Sequence, residues 1–224
     1  MNPLHQALRN LIIFMVALAA LLFGPAGPRR FGEAWLYLAL LGVLSIAITL
    51  YLAAYDPALL QRRLRAGPGA EQETLQKVVV AIASMMVGAL MLVASLDHRG
   101  HWSAVPRPVV VGGDLGFVAS YVIAFLVFRA NSFTSGVVEV TSGQRVVSSG
   151  PYALVRHPMY SGAFLFLLAT PLALASWWAL IPALAACAAI VVRLRGEEKF
   201  LAQHLDGYRA YCDRVRWRLV PGVW

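Results

Sequence analysis

Two short stretches hold most of the residues able to bind or orient a ligand. The first runs Gly150-Pro151-Tyr152-Ala153-Leu154-Val155-Arg156-His157-Pro158-Met159-Tyr160-Ser161-Gly162, and the second Arg193-Leu194-Arg195-Gly196-Glu197-Glu198-Lys199. Proline fixes φ and glycine frees it, so the first stretch is shaped backbone that presents Arg156, His157, Tyr152 and Tyr160 as donors and aromatic faces. The carboxylate pair in the second accepts hydrogen bonds and balances cations. Neither a nucleophilic triad nor a zinc spacing nor a phosphate loop accompanies them, so the expected chemistry needs no covalent intermediate and no metal. Cys187 lies in an apolar run and Cys212 in a polar tail, and both read as free thiols.

The elements that position these stretches belong to a membrane. Of 224 residues, 59% are hydrophobic and 13% charged, against about 25% charged in soluble domains. A bilayer core of about 30 Å takes roughly 20 helical residues, and Leu8–Phe23, Trp35–Tyr55, Val78–Leu96 and Val109–Phe128 fit. Between Met159 and Val192 no charged residue occurs, a stretch of about 51 Å as one helix. Thr170-Pro171 breaks it, and Ser176-Trp177-Trp178 supplies an interfacial tip, so a hairpin of two short helices is expected. The fold class is therefore all-α integral membrane, with about six spans and a cytoplasmic C-terminal helix continuing through Phe200, Leu201, Leu205, Tyr208, Tyr211 and Val215. Residues 1–129 form the N-terminal spans and 130–224 the ligand-binding region, whose stretch 129–152 reads as a small β-hairpin or an extended loop.

Charge sets the orientation. The net charge is +8, and with six spans fifteen of the nineteen Lys and Arg fall on one side, against Arg29, Arg30, Arg99 and Arg107 on the other. This asymmetry places both termini in the cytoplasm, and, with no small-residue cleavage site before Pro25, the first span is expected to be retained in preference to acting as a removable signal peptide. The asymmetry also accounts for the basic character without nucleic acid. Within the first 128 residues Ser45, Thr49, Ser84, Ser95 and Ser120 can each be satisfied by carbonyls of their own helices, and no ion pathway or proton relay is visible.

Each polar residue alone has a plainer use. Arg156 and His157 can snorkel, Glu197 and Glu198 can neutralise Arg193 and Arg195 along one helix, the tyrosines can form an interfacial belt, and Asn131 can end the fourth span. Together, at the adjoining open ends of one hairpin, they make a polar pocket walled by apolar helices.

Gly150-Pro151-Tyr152, Arg156-His157-Pro158-Met159-Tyr160-Ser161-Gly162, Arg193 with Glu197-Glu198, Tyr208-Arg209-Ala210-Tyr211 and Val220-Pro221-Gly222 strongly resemble the isoprenylcysteine carboxyl methyltransferase and phospholipid methyltransferase superfamily. The likeness covers roughly Asn131 to Trp224. It implies that S-adenosylmethionine is enclosed at the cytoplasmic face and that a lipophilic acceptor enters sideways from the bilayer. Carried over, it makes Tyr152, Val155, His157, Pro158, Tyr160, Gly162, Arg193, Glu197 and Glu198 cofactor-binding, and Arg156, Glu198 and Asn131 catalytic. Arg156 or His157 suits the cofactor carboxylate, Glu197 or Glu198 its ribose or amino group, and a tyrosine face its sulfonium.

Methyl transfer is an in-line displacement in which alignment and desolvation dominate. A carboxylate, thiolate or phenolate acceptor needs no strong base, whereas an ammonium head needs a proton removed. The acceptor's identity and the oligomeric state stay open, although a bacterial inner-membrane setting favours a small lipophilic or lipid partner. An apolar gap between the fourth and fifth spans is expected to admit it, with Asn131 and Arg156 at opposite rims. Two rival classes remain: a membrane sterol reductase using NADPH, whose similar motif carries Asn before Tyr where Met159 stands here, and a small transporter.

Overall fold

The computed structural model describes residues 2–27, 31–71, 73–140 and 143–224. Arg29 and Arg30, counted above for charge, and Thr141 and Ser142, within the stretch 129–152, lie outside the described residues. Those described form eight α-helices and no strand. They are α1 Pro3–Ala26, α2 Gly32–Tyr55, α3 Pro57–Arg63, α4 Thr74–Gly100, α5 Arg107–Ala130, α6 Pro158–Ala173, α7 Leu180–His204 and α8 Tyr208–Arg214.

Local chemistry explains where these helices start and stop. The Asn2 side chain accepts from the Leu4 amide at 3.0 Å ahead of Pro3, and Asp56 accepts from the Leu59 amide at 2.9 Å ahead of Pro57, two N-caps followed by proline where its missing N–H costs nothing. Four helices, α1, α2, α4 and α5, are long and apolar enough to cross a membrane, and the chain is an integral membrane protein. Their outward faces carry Ile12, Ile13, Val16, Val43, Met85 and Leu115 exposed, a surface suited to lipid and not to water. The inward faces bury Leu22, Tyr37, Leu41, Leu90, Met91 and Phe117.

The spans lie within a few residues of those expected, with two differences. The last helices are not two short ones: α6 has 16 residues, while α7 has 25 and runs unbroken through Arg193 and Glu198. Proline 171 sits in the last turn of α6, where it tolerates the helix end instead of cutting it in the middle. The C-terminal helix breaks after His204, because Gly207 takes φ +79° and restarts the chain as α8. Of the two forms expected for the stretch before α6, the described residues between Asn131 and Ser149 take the loop, with no strand among them.

Polar groups within the bundle also bridge helices more than expected. Ser120 donates to its own helix at Phe117 O, but Ser95 of α4 donates to Leu22 O of α1 at 2.6 Å and Ser45 of α2 pairs with Tyr121 of α5 at 3.0 Å. At the far end Asp97, buried, accepts from the Ser103 amide and hydroxyl and from Ser176, tying the end of α4 to the α6–α7 turn.

The expected gap between the fourth and fifth spans is closed toward the α6–α7 turn. A Cβ at Gly113 of α5 would lie 2.4 Å from the Ala173 amide nitrogen of α6, and one at Gly116 or Gly162 3.2 Å from Ala169 or Ile123. Gly113 and Gly116 thus let α5 and α6 press together at that end of the seam, while Gly162, Ala163 and Phe166 of α6 and Ala124 and Phe128 of α5 line an apolar groove at the other. Gly113→Val is expected to lower stability by about 3 kcal/mol, the upper end for overpacking, because its neighbour is backbone and cannot yield. Thermal unfolding in detergent checks this, and an unchanged midpoint would refute the tight seam.

Candidate functional site

Pro158 begins α6 and His157 caps it with φ −126°, so the segment before α6 is extended where the chain leaves the loop. That segment is held by the C-terminal tail. The Arg156 and His157 amides donate to Trp217 O at 2.8 Å and Arg218 O at 3.0 Å, and Ser161 Oγ donates to Leu219 O at 2.6 Å. Tyr211 of α8 donates to Tyr152 O at 2.8 Å from below. Backbone, not side-chain packing alone, fixes the position of Arg156 and His157.

Between this segment, the Asn131–Val147 loop and the end of α7 lies a cavity of about 390 Å³. Asn131, Tyr152, Arg156, His157, Pro158, Tyr160, Arg193 and Glu197 all line it, so eight of the expected residues come together. Val155 is buried behind the wall, with its carbonyl facing Tyr211. Gly162 faces α5 and a second, apolar groove. Glu198 lines a separate surface cleft with Arg195, Arg209 and Trp224.

The two adjacent carboxylates have different surroundings. Glu197 accepts from Tyr160 Oη at 2.5 Å, Tyr160 accepts from Arg193 Nε at 3.1 Å, and Arg193 Nη2 meets the buried Glu71 at 2.7 Å. Arg193 also donates to Gln76 Oε1 at 3.3 Å and to Gly136 O at 3.1 Å. This chain fixes the Glu197 carboxylate at the cavity wall while committing only Oε2. Glu198 instead meets Arg156 at 3.3 Å, His157 Nε2 at 3.4 Å and Arg218 at 2.8 Å. Burial pushes its carboxyl up, but hydrogen bonds from His157 and Arg218 and the charges of His157 and Arg156 outweigh that and hold it at about 2. Glu198 therefore clamps α7 to the segment before α6 and to the tail.

Asn131 ends α5, donates through Nδ2 to Tyr152 Oη at 3.1 Å and accepts from the Phe133 amide at 2.9 Å. Burial raises the Tyr152 phenol to about 12, with the Asn131 hydrogen bond opposing, so it is a neutral donor at physiological pH. Tyr208 and Tyr211, raised mainly by burial, are likewise neutral. Sequence reasoning missed Glu71, Gln76 and Arg63. Glu71 lies in a polar run next to Gln72 and Glu73 that looks like ordinary interfacial loop, and only its burial distinguishes it.

The residues present fit S-adenosylmethionine. The cavity falls within the roughly 300–1,000 Å³ usual for small-molecule sites, joins a fixed carboxylate to several phenol rings suited to a cation, and is backed by the apolar Ala163, Ile190 and Leu201. No group of His, Cys, Asp and Glu among the described residues could hold a metal. A search of curated proteins finds no match. Residues 109–206, from the start of α5 to just past α7, match the family model described as phospholipid methyltransferase. The motifs, the glycine seam and the cavity all lie in or beside that interval, so this region of the chain is similar to the phospholipid methyltransferase family.

Proposed function

We propose that the chain transfers a methyl group from S-adenosylmethionine to a lipophilic acceptor at the cytoplasmic face of a bacterial inner membrane. The observation that carries this reading is that the polar cavity and a neighbouring apolar groove share Arg63, Met159 and Ala163 in their walls. A water-soluble donor and a lipid-soluble acceptor can therefore meet at one point. S-adenosylmethionine, when bound, supplies an electrophilic methyl on a sulfonium. The protein's part is to align and to desolvate. Glu197, steadied by Tyr160 and Arg193, accepts from the cofactor's amino or ribose group, and the rings of Tyr152, Tyr160 and Tyr208 face its positive charge. Arg156 and His157 shape the wall beside it, with Glu198 as their positioning residue, and Asn131 holds Tyr152 in place.

Calorimetry on detergent-purified protein should show S-adenosylmethionine binding in preference to NADPH. Glu197→Gln should weaken that binding by about tenfold to hundredfold, as expected when a charge-assisted hydrogen bond worth about 1.5–3 kcal/mol is lost. Tight NADPH binding instead would turn the reading toward a reductase, and unchanged affinity in Glu197→Gln would move the cofactor elsewhere. Six crossings with both termini cytoplasmic complete the proposal, the hairpin of α6 and α7 supplying the last two. Reporter fusions at Met1 and Trp224 should both signal from the cytoplasm, and a periplasmic signal from either would overturn it.

A further inference from the structure

Beside Glu198, and apart from the cofactor cavity, lies a surface cleft of about 740 Å³ built from the end of α7, α8 and the tail. Among the described residues the two spaces share only Arg156 and Tyr208, and the cleft shares none with the apolar groove. Five cations line it: Arg156, Arg195, Lys199, Arg209 and Arg218. Glu198 is committed to Arg156 and Arg218, and Asp213 is the other carboxylate in the wall. No described carboxylate pairs with Arg195, Lys199 or Arg209, all three exposed. Arg195 lies over the Trp224 ring, 6.0 Å from its centroid, and Arg209 Nε donates to Ala202 O at 3.2 Å, contacts that neutralise neither charge. Like charges from α7 and α8 thus line one cleft on either side of the break at Gly207, and they repel unless an anion stands between them. The cleft also lies at the level of lipid headgroups. Val192 ends the run without charge, and Arg195 and Lys199 follow it by about 5 and 11 Å along the α7 axis. Headgroups add about 5–8 Å to each side of the hydrocarbon core, and a lysine stem reaches back toward them. Trp217, Val220 and Val223 of the same tail are exposed, the apolar company of a site at a membrane surface.

We infer that this cleft seats the headgroup phosphate of an anionic phospholipid from the surrounding leaflet, and that the seated lipid draws α8 and the tail onto α7. The cytoplasmic leaflet carries the anionic lipids that such a cluster attracts. This lipid is not the methyl acceptor, because Arg195, Lys199 and Arg209 border neither the cavity nor the groove. Its effect on the cofactor passes through the wall. Tyr208 and Tyr211 of α8 and Glu197 of α7 all line the cavity, so an anion that holds the two helices together completes the cavity before the cofactor arrives. A ligand shifts such an equilibrium only as far as it prefers one form, and a phosphate bridging both helices prefers the assembled one. The lipid site stands without the methyltransferase reading; the gain in cofactor affinity rests on it.

Native mass spectrometry of the full chain, released from nanodiscs of equal phosphatidylglycerol and phosphatidylcholine with matched acyl chains, counts the lipids retained. Wild type should retain phosphatidylglycerol about tenfold or more over phosphatidylcholine, since each cation near an anionic surface contributes about fivefold. The triple variant Arg195→Gln, Lys199→Gln, Arg209→Gln should lose that preference. A control, Arg9→Gln, Lys77→Gln, Arg129→Gln, removes as much positive charge outside the cleft and should keep it. Calorimetry on the same proteins should give wild type about fivefold tighter S-adenosylmethionine binding in phosphatidylglycerol discs than in pure phosphatidylcholine discs, the lower end of ordinary coupling between sites. The cleft variant should close that gap and the control keep it, and inorganic phosphate added to phosphatidylcholine discs should not reproduce it. If the cleft variant does not fold, Lys199→Glu, at an exposed position, must lower phosphatidylglycerol retention. Equal retention of the two lipids, a preference that survives the cleft variant or is lost in the control, unchanged retention in Lys199→Glu, equal cofactor affinity in the two discs, or a gain reproduced by inorganic phosphate would each overturn the inference. Failure of wild type to bind S-adenosylmethionine in either disc, with the cleft-dependent lipid preference intact, would remove the methyltransferase reading and leave the lipid site.

Discussion

Arg193→Ala is expected to produce the largest loss of any single substitution in the site, in stability and cofactor binding together. Its guanidinium serves Glu71, Gln76, Gly136 O and Tyr160 at once, and the Glu71 side chain is only 1% exposed. Removing one partner of a buried ion pair leaves the other charge uncompensated, at a cost of about 3–5 kcal/mol. Glu197 loses its support through Tyr160 in the same step, so the cavity wall loosens. Arg193→Lys restores a charge but not the fork of donors, and should fall between. The double variant Arg193→Ala, Glu71→Ala should recover part of the stability, because the orphaned carboxylate is gone. Thermal unfolding and cofactor calorimetry on the four proteins decide the matter; an Arg193→Ala midpoint equal to wild type would refute the role given to this pair.

Glu198→Gln should act on a different property, resistance to acid. The folded carboxyl sits at about 2 against an ordinary value of 4.5, so the folded state favours the charged form. Its contribution is fully present above about pH 4.5 and is lost as pH falls toward 2. At neutral pH the substitution should cost about 2 kcal/mol, as for lost hydrogen bonds to charged groups. Below pH 2 the two proteins should converge. Unfolding midpoints followed from pH 7 down to pH 2 would show wild type losing stability in that window while Glu198→Gln stays comparatively flat. Parallel curves would remove Glu198 from the clamp.

What the sequence made legible was mostly local. A run of about twenty apolar residues is a property of one segment, which is why Leu8–Phe23 and Trp35–Tyr55 fall inside α1 and α2. The motif segment was equally visible, since Gly, Pro, Arg, His and Tyr crowd into thirteen positions. Helix rotation was not. Consecutive residues of an α-helix point about 100° apart, so Glu197 and Glu198 had to face different surroundings, but nothing in their spacing said which faced the cavity. Helix pairing was also hidden: Gly113, Gly116 and Gly162 could be seen as small, though not that they press α5 onto α6. Asp206-Gly207 carried a turn signal that the apolar spacing of Leu205, Tyr208 and Tyr211 masked. Glu71 and Arg63 gained their surroundings only when loops distant in the chain folded over them.

The bonds from Trp217 O, Arg218 O and Leu219 O to the segment before α6 also fix an order of events during synthesis. A ribosome makes Arg156 and His157 some sixty residues ahead of the backbone that seats them, and helices α1 to α7 are complete before those last residues emerge. A chain halted after α8 would hold every side chain of the cavity wall and still lack its fastening. Ligand capture is thereby expected to wait on completion of the tail, and a tag joined close behind Leu219 is expected to perturb the site more than one placed at Asn2.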